Sequence, residues 1–176
     1  AKSLAEALGI SEDIIAEDGS IRYLNEERFQ SLPMTPSGVV LGDEDGSVVT
    51  QERFDFDAIR VLKPFPETAA LSKAKAALRQ AGLTPKGGEP KLGHSRFEAV
   101  DTAGQVVADV LLDTHVDFEA VTPNGFPLKG PGADIKIVFD GQGVVTQLQY
   151  AFRTLTEGTR ASLMTLDQAK REAAAE

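Results

Sequence analysis

The sequence predicts an α+β fold, an antiparallel sheet with helices packed on one face, arranged as two modules of unequal size, residues 1–62 and 63–176. Three observations predict it. Residues 124–153 read as a loop, a strand, a glycine turn and a second strand. Residues 67–81 carry one apolar stripe at helical spacing. Between them, short polar turns separate three alternating segments, the pattern of hairpins rather than of βαβ units.

The hairpin is the clearest element. Ile135, Ile137 and Phe139 fall on one side of its first strand, and Asp134, Lys136 and Val138 on the other. Asp140-Gly141-Gln142-Gly143 makes the turn, its glycines free to take positive φ. In the second strand Val144, Thr146, Leu148, Tyr150 and Phe152 alternate against Val145, Gln147, Gln149, Ala151 and Arg153. The helix 67–81 places Ala70, Leu71, Ala74, Ala77, Leu78 and Ala81 on one stripe and stops at Gly82. Segments 95–100, 106–112 and 114–121 read as strands, with Asp101-Thr102-Ala103-Gly104 turning between the first two.

Ahead of the Lys63-Pro64-Phe65-Pro66 linker the pattern is weaker. Residues 2–8 read as a helix ending at Gly9, and 21–24 as a short strand. Asn25 caps a brief helix through Phe29. Pro36 and Gly38 mark 34–42 as loop, and 47–62 reads as one long extended segment. A closing helix spans 166–175.

Composition bounds the function. The 176 residues carry a net charge of −9, which disfavours nucleic acid and anionic membranes as partners. There is no cysteine, so disulfides, thiolate catalysis and zinc–thiolate sites are excluded. No run approaches the ~20 apolar residues of a membrane helix. The chain opens on Ala1-Lys2, so a processed product is expected.

Four residues invite a metal reading. Asp113, His115, Asp117 and Glu119 alternate, so on a strand they share one face. Asp113, His115 and Asp117 are weak metal candidates, but in-line ligands lie roughly 6–7 Å apart, too far for one ion without a second strand. The competing reading is a solvated face, with Leu112, Thr114, Val116, Phe118 and Ala120 turned to the core. Asp43-Glu44-Asp45-Gly46 lacks the full calcium-loop spacing and reads as a polar turn. His94 begins a strand. No nucleophile elbow or phosphate loop occurs, and neither a catalytic residue nor a cofactor is expected. Within 121–133, Asn124, Gly125, Phe126, Pro127 and Gly130 form the candidate partner-binding loop, with Phe126 rigidly presented or else folded back on the sheet.

Residues 67–170 carry the order helix, Ala81-Gly82-Leu83, strand 116–119, the turn Asn124-Gly125-Phe126-Pro127-Leu128-Lys129-Gly130, and the hairpin 135–148. This resembles the PepSY and fungalysin/thermolysin-propeptide group. The resemblance implies a cystatin-like arrangement, a bacterial envelope or extracellular setting, and non-catalytic work as an inhibitor, chaperone or sensor module. Gly130-Pro131-Gly132-Ala133 lengthens the group's loop, and no protease domain follows in this sequence. The expectation is a non-enzymatic binding module engaging a protein partner by a sheet edge or the 121–133 loop. The alternative is a structural or assembly subunit that pairs with itself; a hydrolase with a site formed only in three dimensions is the third reading.

Overall fold

The computed structural model describes residues 2–10, 20–42, 48–83, 89–120, 128, 133–152 and 164–174. Its elements are α1 (Lys2–Ala7), β1 (Ile21–Leu24), β2 (Met34–Gly42), β3 (Val48–Phe54), α2 (Phe56–Arg60) and α3 (Glu67–Gln80). They continue with β4 (Lys91–Gly93), β5 (Arg96–Val100), β6 (Val106–Leu111), β7 (Thr114–Glu119), β8 (Ala133–Phe139), β9 (Val145–Phe152) and α4 (Leu166–Ala173).

The main sheet has five antiparallel strands in the order β1-β9-β8-β7-β4. Its register aligns side chains into rows that run across every strand. One row is Tyr23–Leu148–Ile137–Val116–Leu92. The next is Arg22–Gln149–Lys136–Asp117–Lys91. Because neighbouring residues of a strand point to opposite faces, the first row faces the core and the second faces away. The alternation legible within the β8–β9 hairpin thus continues across these rows into β1, β7 and β4.

The apolar face is covered by α1 and α3. Leu4 and Ala5 from the first, with Leu8 just past its end, and Ala70, Ala74, Ala77 and Leu78 from the second pack on Ile21, Val116, Phe118, Ile135, Ile137, Phe139 and Leu148. The buried face of α3 is mostly alanine, and β-branched and aromatic side chains of the sheet supply much of the core volume beneath it. Lys73 crosses the end of the sheet, donating from Nζ to the Gly143 carbonyl at 2.8 Å.

Residues 62–66 are packed rather than free. Phe65 packs tilted against Phe139, 5.9 Å between ring centroids. Gly143, at φ 78°, sits so close beneath Phe65 that an added Cβ would be 2.7 Å from the ring. The glycine therefore serves both the turn and the close approach. The β1–β9 ladder and the α1 contacts cross the 62/63 division.

Four local expectations are corrected. Residues 34–42 form β2, paired with β3; Pro36 and Gly38, read as breakers, fall at the register shift between Pro36 and Val40, where the ladder tolerates them. The extended segment 47–62 ends at Phe54. Asp55 then caps α2, its side chain accepting the Ala58 N–H at 3.0 Å. The helix expected after Asn25 is a run of turns, although Asn25 Oδ1 does accept the Arg28 N–H. In β9 the expected partition of Val144 and Thr146 with Leu148 fails. A register shift between Val138 and Phe139 leaves Thr146 as the extra residue, so Val145 and Leu148 both enter the core.

A smaller apolar cluster lies at α2. Ile59 is fully buried, Phe54 meets Phe56 and Phe97 edge-on, and Arg60 donates to the Val107 carbonyl from both Nε and Nη2. These contacts dock α2 on the β5–β6 ribbon.

Candidate functional site

The ribbon β5–β6 and the pair β4–β7 are one long hairpin interrupted by a bulge. Gly93 faces His115, and Arg96 faces Leu111. Two residues, His94 and Ser95, therefore oppose three, Leu112, Asp113 and Thr114. An extra residue on one strand bends it and breaks the ladder locally, and here side chains replace the missing backbone bonds.

Asp113 supplies most of them. Its Oδ1 accepts the Ser95 N–H at 2.9 Å, and its carbonyl faces His94 Nδ1 at 2.7 Å. A carbonyl only accepts, so Nδ1 carries the proton. The other ring nitrogen, Nε2, lies 2.9 Å from Glu67 Oε1 in the first turn of α3. Thr114 donates its hydroxyl to the Phe65 carbonyl and stands 3.3 Å from His94 Nδ1. The bulge is thereby tied to the linker and to the start of the helix.

Both imidazole nitrogens of His94 face acceptors. Burial disfavours its charge, but the Asp113 carbonyl, then the Glu67 carboxylate, outweigh burial and raise its pKa above the ordinary imidazole value. Asp113 is 3 % exposed, and its Oδ2 has no hydrogen-bond partner among the described residues.

The expected solvated face is corrected at its first member. Asp113, at the bulge, is buried, while His115, Asp117 and Glu119 on the same face are half-buried. The face opposite the helices carries His115 between two carboxylates: Nδ1 is 3.8 Å from Asp113, and Nε2 is 3.6 Å from Asp117. The carboxylates stand at opposite nitrogens of one ring, so an ion on either nitrogen would lie away from the other carboxylate. Among the described residues no group of three or more His, Asp or Glu is placed to hold a metal ion. The His115 ring approaches Gly93 by its Nε2 edge, so close that a Cβ there would collide with it.

Asp117 is squeezed differently. Burial raises its pKa, and the nearby Lys136 and His115 pull it down without cancelling that effect. Lys91 is engaged at 2.6 Å by Glu119.

A cavity of about 300 Å³ opens beside the bulge. Arg28, Lys63, Asp113, Asp140, Gln142 and Thr146 are among the residues that line it. Arg28 is committed, donating to Asp140 Oδ2 and Gln142 Oε1 at 2.8 Å each.

Of the loop proposed for partner binding, Asn124, Gly125, Phe126, Pro127 and Gly130 lie outside the described residues; Leu128 donates its N–H to the Ala120 carbonyl at 2.9 Å. The sequence reading missed the His94–Glu67 pair. The two residues are 27 positions apart, and no spacing rule links a helix N-terminus to a distant bulge. Compared with family models, curated proteins and solved structures, the chain finds no match.

Proposed function

We propose that this chain is a non-enzymatic binding module that takes a segment of a protein partner as an added strand on the outer side of β4. One observation carries the reading. The core-facing row Leu148–Ile137–Val116 is fully buried, and it ends at Leu92, which is 37 % exposed. An added strand would extend the ladder through main-chain hydrogen bonds and close that apolar row. Lys91 beside it, paired with Glu119, puts charge on the edge and guards it against indiscriminate pairing.

The layer of α1 and α3 on one face of an antiparallel sheet supports the cystatin-like, PepSY-like reading. With that reading comes an extracellular or envelope setting and an inhibitory, chaperone-like or regulatory role. A second reading, self-association into an assembly, is favoured by the other outer strand, β1, where Leu24 is 47 % exposed. Among the described residues neither β4 nor β1 has a strand on its outer side, and two such edges let copies join in series.

The test is peptide selection against the whole chain from a random display library, followed by affinity measurement on the native protein and on Leu92→Lys and Leu24→Lys. Selected sequences should be extended and apolar at alternate positions. Leu92→Lys should weaken them about tenfold, the effect of ~1.4 kcal/mol, and Leu24→Lys should not. Equal affinity for Leu92→Lys overturns the β4 assignment, and loss in Leu24→Lys alone moves it to β1.

A further inference from the structure

We propose that His94 is a pH-sensitive latch, tying the first turn of α3 to the bulge of the β4–β7 hairpin when its ring is protonated and releasing the helix end when it is neutral. The geometry that carries this is the pair of acceptors at the two ring nitrogens. Nδ1 faces the Asp113 carbonyl at 2.7 Å, and Nε2 faces Glu67 at 2.9 Å. A neutral imidazole has one N–H. The carbonyl keeps it, since a carbonyl accepts only. The Nε2 lone pair then faces a carboxylate, and attraction turns to repulsion.

The charged and titratable groups around the ring come from two elements. Glu67 is on α3, and Asp113 is in the bulge. His115, the other histidine, lies beyond Asp113, its Nδ1 3.8 Å from Oδ1. Both carboxylates favour the imidazolium, and burial opposes it without prevailing. The midpoint therefore lies on the alkaline side of the ordinary imidazole value, about 6.5, within the range of environmental change.

Release would act where the structure is jointed. Residues 62–66 run from α2 to α3 and are held to the sheet by the Thr114–Phe65 hydrogen bond, next to His94. They also border the cavity, through Leu62 and Lys63. Loss of the Glu67 contact loosens the helix end and the adjoining chain while the Asp113–Ser95 bond holds the bulge.

The experiment is a titration of the full chain by histidine-selective and amide NMR between about pH 5 and 9, with Glu67→Gln and His115→Gln as variants. Glu67 is exposed, so its replacement leaves the core intact. The expected result is a His94 midpoint above about 6.5 in the native chain. It should fall in Glu67→Gln, which removes the carboxylate facing Nε2. The Glu67 and Thr68 amides should titrate at the native midpoint and stay flat in Glu67→Gln. His115→Gln should preserve both signals. A midpoint at or below 6.5, a midpoint unmoved by Glu67→Gln, or helix-end amides that do not follow it overturns the latch.

Discussion

His94 and Asp113 bond through the ring of one and the backbone of the other, Nδ1 to carbonyl oxygen at 2.7 Å, leaving the Asp113 carboxylate free to accept the Ser95 N–H at 2.9 Å. One residue thus closes both sides of a gap in the ladder. It lets a long hairpin serve two layers, β4 and β7 in the main sheet and β5 and β6 against α2.

Asp113→Ala removes the acceptor of the half-buried Ser95 N–H. It should cost about 1–3 kcal/mol, read by urea denaturation. Asp113→Asn keeps an oxygen at that position and should cost less. Equal loss in the two variants would mean that the carboxylate acts by charge rather than as a cap for Ser95.

Asp117→Asn should stabilise the protein at neutral pH. Burial holds the Asp117 pKa above the usual carboxylate value. A raised pKa means its contribution to stability is present at acid pH and lost as pH rises through the folded value. The asparagine variant does not titrate. Its melting temperature should exceed the native one at pH 7, and the two should converge near pH 3–4. A lower melting temperature at pH 7 would show that attraction to Lys136 and His115 outweighs burial.

Gly93→Ala should destabilise, because its methyl group would enter the His115 ring. The ring must rotate away from Gly93, breaking its placement between Asp113 and Asp117. The His115 resonances should shift, with a loss of about 1–3 kcal/mol. An unchanged His115 environment would contradict the packing described.

Ile137→Ala tests the core row. Ile137 is fully buried at the centre of the five-stranded sheet. The loss should be about 2–5 kcal/mol, measured by chemical denaturation, while Val106→Ala, at a position 58 % exposed, should change stability by less than about 0.5 kcal/mol.

The parts of this fold that were legible in the sequence are those fixed locally. Ile135, Ile137 and Phe139 announced the core face of β8, and Asp140–Gly143 announced the turn. The alanine stripe announced α3. Residues 34–42 were misread because Pro36 and Gly38 are breakers in a regular strand and acceptable at an irregular one. The α2 helix was hidden by Phe54 and Phe56, which continue a strand alternation past the Asp55 cap. The β1–β9 pairing joins residues more than a hundred positions apart and leaves no local trace. In the candidate site, the Asp113–His115–Asp117 alternation was visible; the bulge that buries Asp113 and brings His94 to Glu67 was not, because it depends on register between two strands.

The most direct test of the β4 edge as the binding surface is amide chemical-shift mapping with a selected extended peptide. Binding should perturb Lys91, Leu92 and Gly93 together with Val116, the partner of Leu92 on β7, and should be lost in Leu92→Lys. Perturbation confined to surfaces away from β4, unchanged by Leu92→Lys, would contradict the proposed role.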